Sequence, residues 1–523
     1  MEKASFDFTR IMHTLLRLTR RGVLGTAAGA FGAAAAAVTA PLYSSCEELS
    51  SKVVYIEVPQ DQWIEVKQKE LADSFIDWTD VDMAYVEALR TVRGAYEFPV
   101  AKMRSLQSYF LTEAKLGLAG LPSSMRMLPT YVTKRVTGAE KGDFFALDLG
   151  GTNFRVLKLT LEGGGVVGPV EALKFKIPAA IKQGSGDELF GFLADSVATF
   201  IATKCSGNPT GTMGFTFSFP TVQTAINAGT LIVWNKDFSA SGVVGADVVA
   251  LLQQKLKERG MSLEVAALAN DTVGTMEAAA YTHKDTAMGV ILGTGTNAAY
   301  VEKTSNVLKW DGPPSDEMVI NTEWGNLDMA DYMTLYDAVV DLGTANPGLQ
   351  RFEKMISGLY LGEMTRVTTI SPEVIQGFSP SFAAGFTKTF GERMSFQSAL
   401  MSDIEADTSS DLSATSKALE AAGLPISTVR DRVLLREVCV NVSTRAAKLS
   451  ATAVVALLEQ ANVLDGCTVA VDGTVFECYP FFKERMEGTI IQLIGAERAE
   501  RVKLVLAKDG SGVGAAIIAA IAK

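Results

Sequence analysis

Two short stretches, DLGGTNFRV at Asp148–Val156 and GTGTNAAYV at Gly293–Val301, constrain this 523-residue chain more than any other part of it. An apolar run enters each glycine-rich turn, Phe144–Leu149 in the first and Met288–Gly293 in the second, and strand-forming residues leave it. Each stretch therefore predicts a β-hairpin. Glycine tolerates positive φ and lacks a Cβ, so successive amide N–H groups in such a turn converge on an anion such as a phosphate oxygen. Thr152 and Thr294 add hydroxyls. One such turn is ordinary hairpin chemistry. Two of them predict two lobes gripping one polyphosphate.

The surrounding pattern is mixed. Val81–Phe98 and Ser108–Gly120 have helical spacing, and from Phe144 onward strand-like and helix-like segments alternate. This alternation predicts α/β layers with a partly parallel sheet in each lobe. A long helical run, Val429–Gln460, precedes two further strand–turn–helix units, Cys467–Met486 and Val502–Ala522.

A formal charge of −11 argues against nucleic acid as a ligand. With only His13 and His283, histidine metal sites and Ser-His-Asp triads are nearly excluded, which leaves a carboxylate as the general base. Cys46, Cys205, Cys439, Cys467 and Cys478 form no CxxC pair and read as buried, reduced thiols in a reducing compartment. Residues 1–46 differ from the rest. Arg10, Arg17, Arg20 and Arg21 precede an uncharged, Ala- and Gly-rich stretch from Gly22 to Cys46. The expectation there is membrane attachment through residues 22–46 or organelle import, with a solvated helical tail as the alternative.

Polar residues at the ends of apolar segments carry the chemistry. Met213–Pro220 places Ser218 near the end of a strand. Ile226–Phe238 brings Asn235, Lys236 and Asp237 to the end of another, and Asn270 and Asp271 end a strand and open a helix. Asp271 alone also reads as a helix N-cap.

In their order these segments resemble the hexokinase family from about Ser124 to the C-terminus. LDLGGTNFRV resembles that family's first phosphate motif, and GFTFSFPTVQTAINAGTLIVWNKDF resembles its sugar-binding signature, with Asn235 where the family has threonine. ALANDTVGTM, ILGTGTNAAY, INTEWG, RFEKMISGLYLGE, VAVDGTVF and KDGSGVGAA look like further family segments, and the segment after EWG is shorter than the family's.

The resemblance implies an α/β, two-lobed actin-like ATPase (ribonuclease H-like) fold with its active site in the interlobe cleft. It divides the chain into a helical part at 47–139, a small lobe at 140–269, a large lobe at 270–508 and a helix at 509–523 that returns to the small lobe. It implies a cytoplasmic or organelle-associated monomer or homodimer that uses ATP and Mg2+ to phosphorylate the 6-hydroxyl of glucose or another hexose, the first step of glycolysis. Asp271 is then the general base and Lys236 offsets charge on the transferring phosphoryl group. Ser218, Asn235, Lys236, Asn270, Asp271, Asn297, Glu323 and Glu353 would hold the sugar, and Asp148 would position magnesium through water. Gly150, Gly151, Thr152 and Asn153 would touch the phosphates from one lobe, Thr294 and Gly295 from the other. Gly473, Thr474, Gly510 and Ser511 would flank the adenosine, with Thr387 contributing. Two alternatives share the scaffold: a non-catalytic glucose sensor, and a chaperone-like or actin-like ATPase, which would not need the sugar ligands.

Overall fold

The computed structural model describes residues 83–522 apart from Thr152, Asn235, Lys236 and Asp509. The N-terminal segment of residues 1–46 and the helical expectation for residues 47–82 lie outside the described residues. Helices α1 (Met83–Tyr96) and α2 (Val100–Leu118) open the described chain. The sequence periodicity places the start of α2 at Ser108, but the buried stripe of Met103, Leu106 and Phe110 begins earlier, directly after Pro99. Lys102 and Arg104 on the exposed face disguise it.

After the short β1 (Leu128–Pro129), strands β2 (Lys141–Leu149), β3 (Asn153–Gly163) and β4 (Val166–Lys176) form an antiparallel meander. Helix α3 (Gly186–Lys204), started by a Ser185–Glu188 capping box, leads to β5 (Thr210–Phe217), which lies parallel to β2. A two-stranded excursion, β6 (Thr221–Ala225) and β7 (Ala228–Leu231), and helix α4 (Val248–Glu258) precede β8 (Ser262–Ala269), parallel to β5. The sheet order is β4-β3-β2-β5-β8.

Helix α5 (Asp271–Thr282) crosses to the second sheet, which repeats the plan. Strands β9 (Thr286–Leu292), β10 (Thr296–Lys303) and β11 (Glu317–Asn321) are antiparallel neighbours. Helices α6 (Arg351–Ile356), α7 (Gly358–Thr369), α8 (Pro380–Phe390) and α9 (Val429–Gln460) follow, the last with the bounds expected from its sequence. Strands β12 (Cys467–Asp472) and β13 (Val502–Leu506) then join β9 in parallel, giving the order β1-β11-β10-β9-β12-β13. Helix α10 (Gly510–Ile521) ends the described chain. Both glycine stretches are hairpin turns, and the repeated sheet order is the expected two-lobed architecture. Among the described residues no helix is long and apolar enough to cross a membrane.

Strand β2 is buried from Phe144 to Leu149 because both faces of its sheet are covered. Phe145, Leu147 and Leu149 pack with Phe190 and Leu193 of α3 and Leu252 of α4, whereas Phe144 and Ala146 pack with Tyr281 of α5 and Ala515 and Ile517 of α10. Helices α5 and α10 thus fill the space between the sheets, and glycine lets them do so at backbone contact. A Cβ on Gly514 would overlap the carbonyl of Gly274, one on Gly214 of β5 the carbonyl of Ala515, and one on Gly289 of β9 the carbonyl of Thr272. At Gly512 the contact is looser and with a side chain, a Cβ there lying 3.0 Å from that of Leu157. Two cysteines depart from expectation: Cys439 and Cys467 are buried, but Cys205 is half-buried and Cys478 exposed.

One buried group in α5 is costly. Neither carboxylate oxygen of Glu277 has a hydrogen-bond partner among the described residues, and its nearest cation, Arg135, stands 3.8 Å away. Burial pushes its pKa up to about 7, with Arg135 and the nearby Val136 amide pulling it down and Glu140 and Glu317 pushing it further up.

Gly514→Ala should therefore lower stability by on the order of 3 kcal/mol, read as a drop in the urea midpoint. For Glu277, the folded chain holds a proton that the unfolded chain, with a carboxyl pKa of about 4.3, has released, so stability falls as pH rises from about 4.3 to 7. The loss is on the order of 3 kcal/mol. Glu277→Gln removes this term, and its melting temperature should gain on the parent's as pH rises from about 5 to 8. A difference that is constant with pH contradicts the assignment.

Candidate active site

The N-terminus of α5 organises one wall of a cleft. Asn270 is the N-cap: its Oδ1 accepts from the Thr272 amide at 3.0 Å and from Thr272 Oγ1 at 2.7 Å. This corrects the capping reading of Asp271, which is instead the first helical residue, with Oδ1 also 3.0 Å from the Thr272 amide. The cap is taken by the neighbouring amide, and Asp271 is left at the cleft.

Strands β10 and β11 supply the opposite wall. Asn297 Nδ2 lies 3.2 Å from Asn270 Oδ1, 2.8 Å from Asn321 Oδ1 and 3.5 Å from Glu323 Oε1. Asn321 Nδ2 donates to Glu323 Oε1 at 3.0 Å. Glu323 has left-handed backbone (φ 52°) where the chain turns into the short 3₁₀ helix Trp324–Asn326. Glu353, on α6, accepts from the Thr296 amide at 3.0 Å. Ser218, buried just beyond β5, is bound through its amide to the Leu149 carbonyl at 3.3 Å, which ties the Ser-Phe-Pro segment to the first glycine turn. Beneath it Phe219 packs against Trp234 and Phe238, with ring centroids 4.8 and 4.9 Å apart. Ser218, Asn270, Asp271, Asn297, Glu323 and Glu353 thus line one cavity, together with Pro220, Gly295 and Gln350.

The second turn contributes Gly295 to this cavity, and the first adjoins it through the bond from the Ser218 amide to the Leu149 carbonyl. Gly150 donates to the Asn153 carbonyl at 3.1 Å, and Gly293 to the Gly295 carbonyl at 3.0 Å. Asp148 pairs directly with Arg155 in the β2–β3 register, and its Oδ2 accepts from Arg155 Nε at 3.0 Å, Arg155 Nη2 at 2.5 Å and Ser511 Oγ at 3.1 Å. The expected use of positive φ is not met at Gly150, Gly293 or Gly295. What the second turn needs is space, since a Cβ on Gly295 would lie 2.6 Å from Glu353 Oε2. Gly473, by contrast, does have φ +120° and lies against Leu292 and Gly293, where β12 ends and Thr474 begins a short helix.

The remaining expected residues divide. Ser511 is at Asp148, and a Cβ on Gly510 would come within 3.1 Å of Thr275 Cα, so packing already accounts for that glycine. Thr387 is exposed on α8, its hydroxyl donates to the Ala383 carbonyl at 2.9 Å, and it does not line the cavity. Thr152, Asn235 and Lys236 lie outside the described residues. Sequence reasoning missed Arg155, Gln350 and Asn321. The hairpin register would have found Arg155, opposite Asp148, whereas nothing in one sequence separates Asn321 from its neighbours in INTEWG.

Residues 88–281 and 287–521 match the two sequence profiles described as hexokinase. The chain is 41% identical to Hexokinase-1 of Oryza sativa subsp. japonica over 450 residues, covering 82% of this chain and 89% of that protein. It is 40% identical to Hexokinase-1 of Spinacia oleracea over 447 residues, 81% and 88% of the two chains. Among solved structures, the hexokinase of Schistosoma mansoni complexed with glucose superposes with a TM-score of 0.74 at 35% identity, covering 83% of this chain and 99% of that one.

Removing the cap with Asn270→Ala should cost about 1 kcal/mol in chemical denaturation. Asn270→Asp keeps an acceptor for the Thr272 amide and should recover most of the loss.

Proposed function

Because this chain belongs to the hexokinase family, we propose that it transfers the γ-phosphate of ATP to the 6-hydroxyl of glucose, and of related hexoses such as mannose or fructose. The observation that carries this reading is the convergence of Ser218, Asn270, Asp271, Asn297, Glu323 and Glu353 on one cavity beside both glycine turns. Carboxylates and amides suit a polyol, because each hydroxyl can donate to Glu323 or Glu353 while accepting from Asn270 or Asn297. The glucose bound by the related Schistosoma mansoni hexokinase supports the same substrate class.

In this reading Asp271 accepts the proton of the 6-hydroxyl as its oxygen bonds to the γ-phosphorus, the bond between that phosphorus and the β–γ bridging oxygen breaks, and ADP leaves. The sugar oxygen is itself the nucleophile, so no covalent enzyme intermediate is needed. Lys236 offsets charge on the moving phosphoryl group. The residues present suit MgATP: Asp148 is a carboxylate oriented by Arg155 and Ser511 at the mouth of the first turn, and a Cβ on Gly150 would meet only the Asn153 carbonyl, at 3.6 Å, so the cradle is open. Magnesium, when bound, neutralises charge developing on the phosphate oxygens, and Asp148 would hold it through water. Gly150, Gly151, Thr152 and Asn153 approach the phosphates from one side, Thr294 and Gly295 from the other, and Gly473 and Thr474 lie toward the nucleoside. Sugar binding closes the lobes and excludes water, which would otherwise take the place of the sugar hydroxyl. The segment at residues 1–46 serves organelle attachment or import.

The test is sugar-dependent ADP release with magnesium ATP. Asp271→Ala should lower it by about a thousandfold while the rise in melting temperature caused by glucose persists. Turnover near the parent's in that variant contradicts the mechanism, and glucose binding without turnover in the parent chain favours the sensor reading.

A further inference from the structure

We propose that Asn321 is a positioning residue that passes the hydrogen-bonding direction of Asn297 on to Glu323 and holds Glu323 as an acceptor for a sugar hydroxyl. The inference rests on the sugar-cleft reading above and adds a residue that touches no substrate.

Asn321 closes β11 and is only 5% exposed, so its amide must find partners within the protein. A carboxylate can only accept, so the Asn321 NH2 group must face Glu323 Oε1, 3.0 Å away. Its oxygen then faces Asn297 Nδ2 at 2.8 Å, in agreement with the Ala298 amide, which donates to the Asn297 oxygen at 2.8 Å and so fixes that side chain's direction. Asn297 Nδ2 also reaches Asn270 Oδ1 at 3.2 Å, and that oxygen accepts in addition from the Thr272 amide and hydroxyl. One donor-to-acceptor order therefore runs across α5, β10 and β11. Flipping Asn321 would set its carbonyl against the Glu323 carboxylate and its NH2 against the NH2 of Asn297.

The backbone of Glu323 needs no help from Asn321. Its left-handed turn is held by the Thr322 amide and hydroxyl on the Ala298 carbonyl at 3.0 and 2.8 Å, by the Trp324 amide on Thr322 Oγ1 at 3.2 Å and by Trp324 Nε1 on Thr296 Oγ1 at 3.0 Å. These bonds leave the Glu323 side-chain torsions unset. Asn321 supplies a restraint on them, and orienting the carboxylate before the sugar arrives spares the ordering cost on binding.

The diagnostic variant is the isosteric Asn321→Asp. Two carboxyl groups about 3 Å apart do not both ionise readily. At low pH the protonated Asp donates to Glu323 in place of the amide, and at high pH the two repel. The sugar KM of this variant, taken relative to the parent's, should rise at least severalfold from about pH 6 to about 8.5, with KM for ATP unchanged. Asn321→Ala should raise the sugar KM about tenfold with no such pH dependence and a smaller change in kcat. Glu323→Gln in the same assay separates the two levels of the argument. If it leaves the sugar KM unchanged, the sugar-cleft reading fails. If it raises the sugar KM while the Asn321→Asp ratio stays flat with pH, the role assigned to Asn321 is overturned.

Discussion

The contact between Gly274 of α5 and Gly514 of α10 sets the geometry on which everything else depends. Without side chains at the crossing, the two helices approach to backbone distance, and Gly214 and Gly289 bring the flanking strands equally near. The sheets are thereby held a fixed span apart. The crossing also lies close to both helix N-termini, which open toward the same cleft: α5 begins with Asp271 beside its Asn270 cap, and α10 carries Ser511 in its first turn, bonded to Asp148. Asp271 and Asp148 are therefore both referenced to one close-packed junction. A shift of the crossing would move both.

Much of this was legible in the sequence because local pattern and tertiary role coincide. The apolar run into each glycine turn predicts the entering strand of a hairpin, and β2 and β9 are those strands. The bounds of α9 follow from its uninterrupted helical pattern and the Thr428–Asp431 capping box. The hexokinase resemblance named six cleft residues from five separate segments, and they line one cavity.

The unread parts share a different cause. The reason for glycine at 214, 274, 289, 295 and 514 is a neighbour distant in sequence, and of these only Gly295 lies in a turn that the sequence singled out, for backbone freedom rather than for space. The cap passed from Asp271 to Asn270 because two adjacent residues both had cap chemistry and only the backbone conformation chooses between them. Asn321 was invisible for a similar reason, its importance lying in what each end of its amide faces. Arg155 was the avoidable omission, since hairpin pairing alone sets it opposite Asp148.

The bond from Ser511 to Asp148 joins residues 363 positions apart. The sheet that carries the first glycine turn has its outer face covered by α3 and α4, its own close neighbours in sequence, but most of its inner face by Ala515, Ala516 and Ile517 of α10, beside Ala280 and Tyr281 of α5. During synthesis that inner face, with Phe144, Ala146 and Leu157 on it, has only Ala280 and Tyr281 of α5 against it while the entire second sheet and its helices are made. The first lobe is thus discontinuous as a folding unit. Expressed as a fragment it would expose an apolar surface where the whole protein has an interior, so its order depends on a helix made long after it.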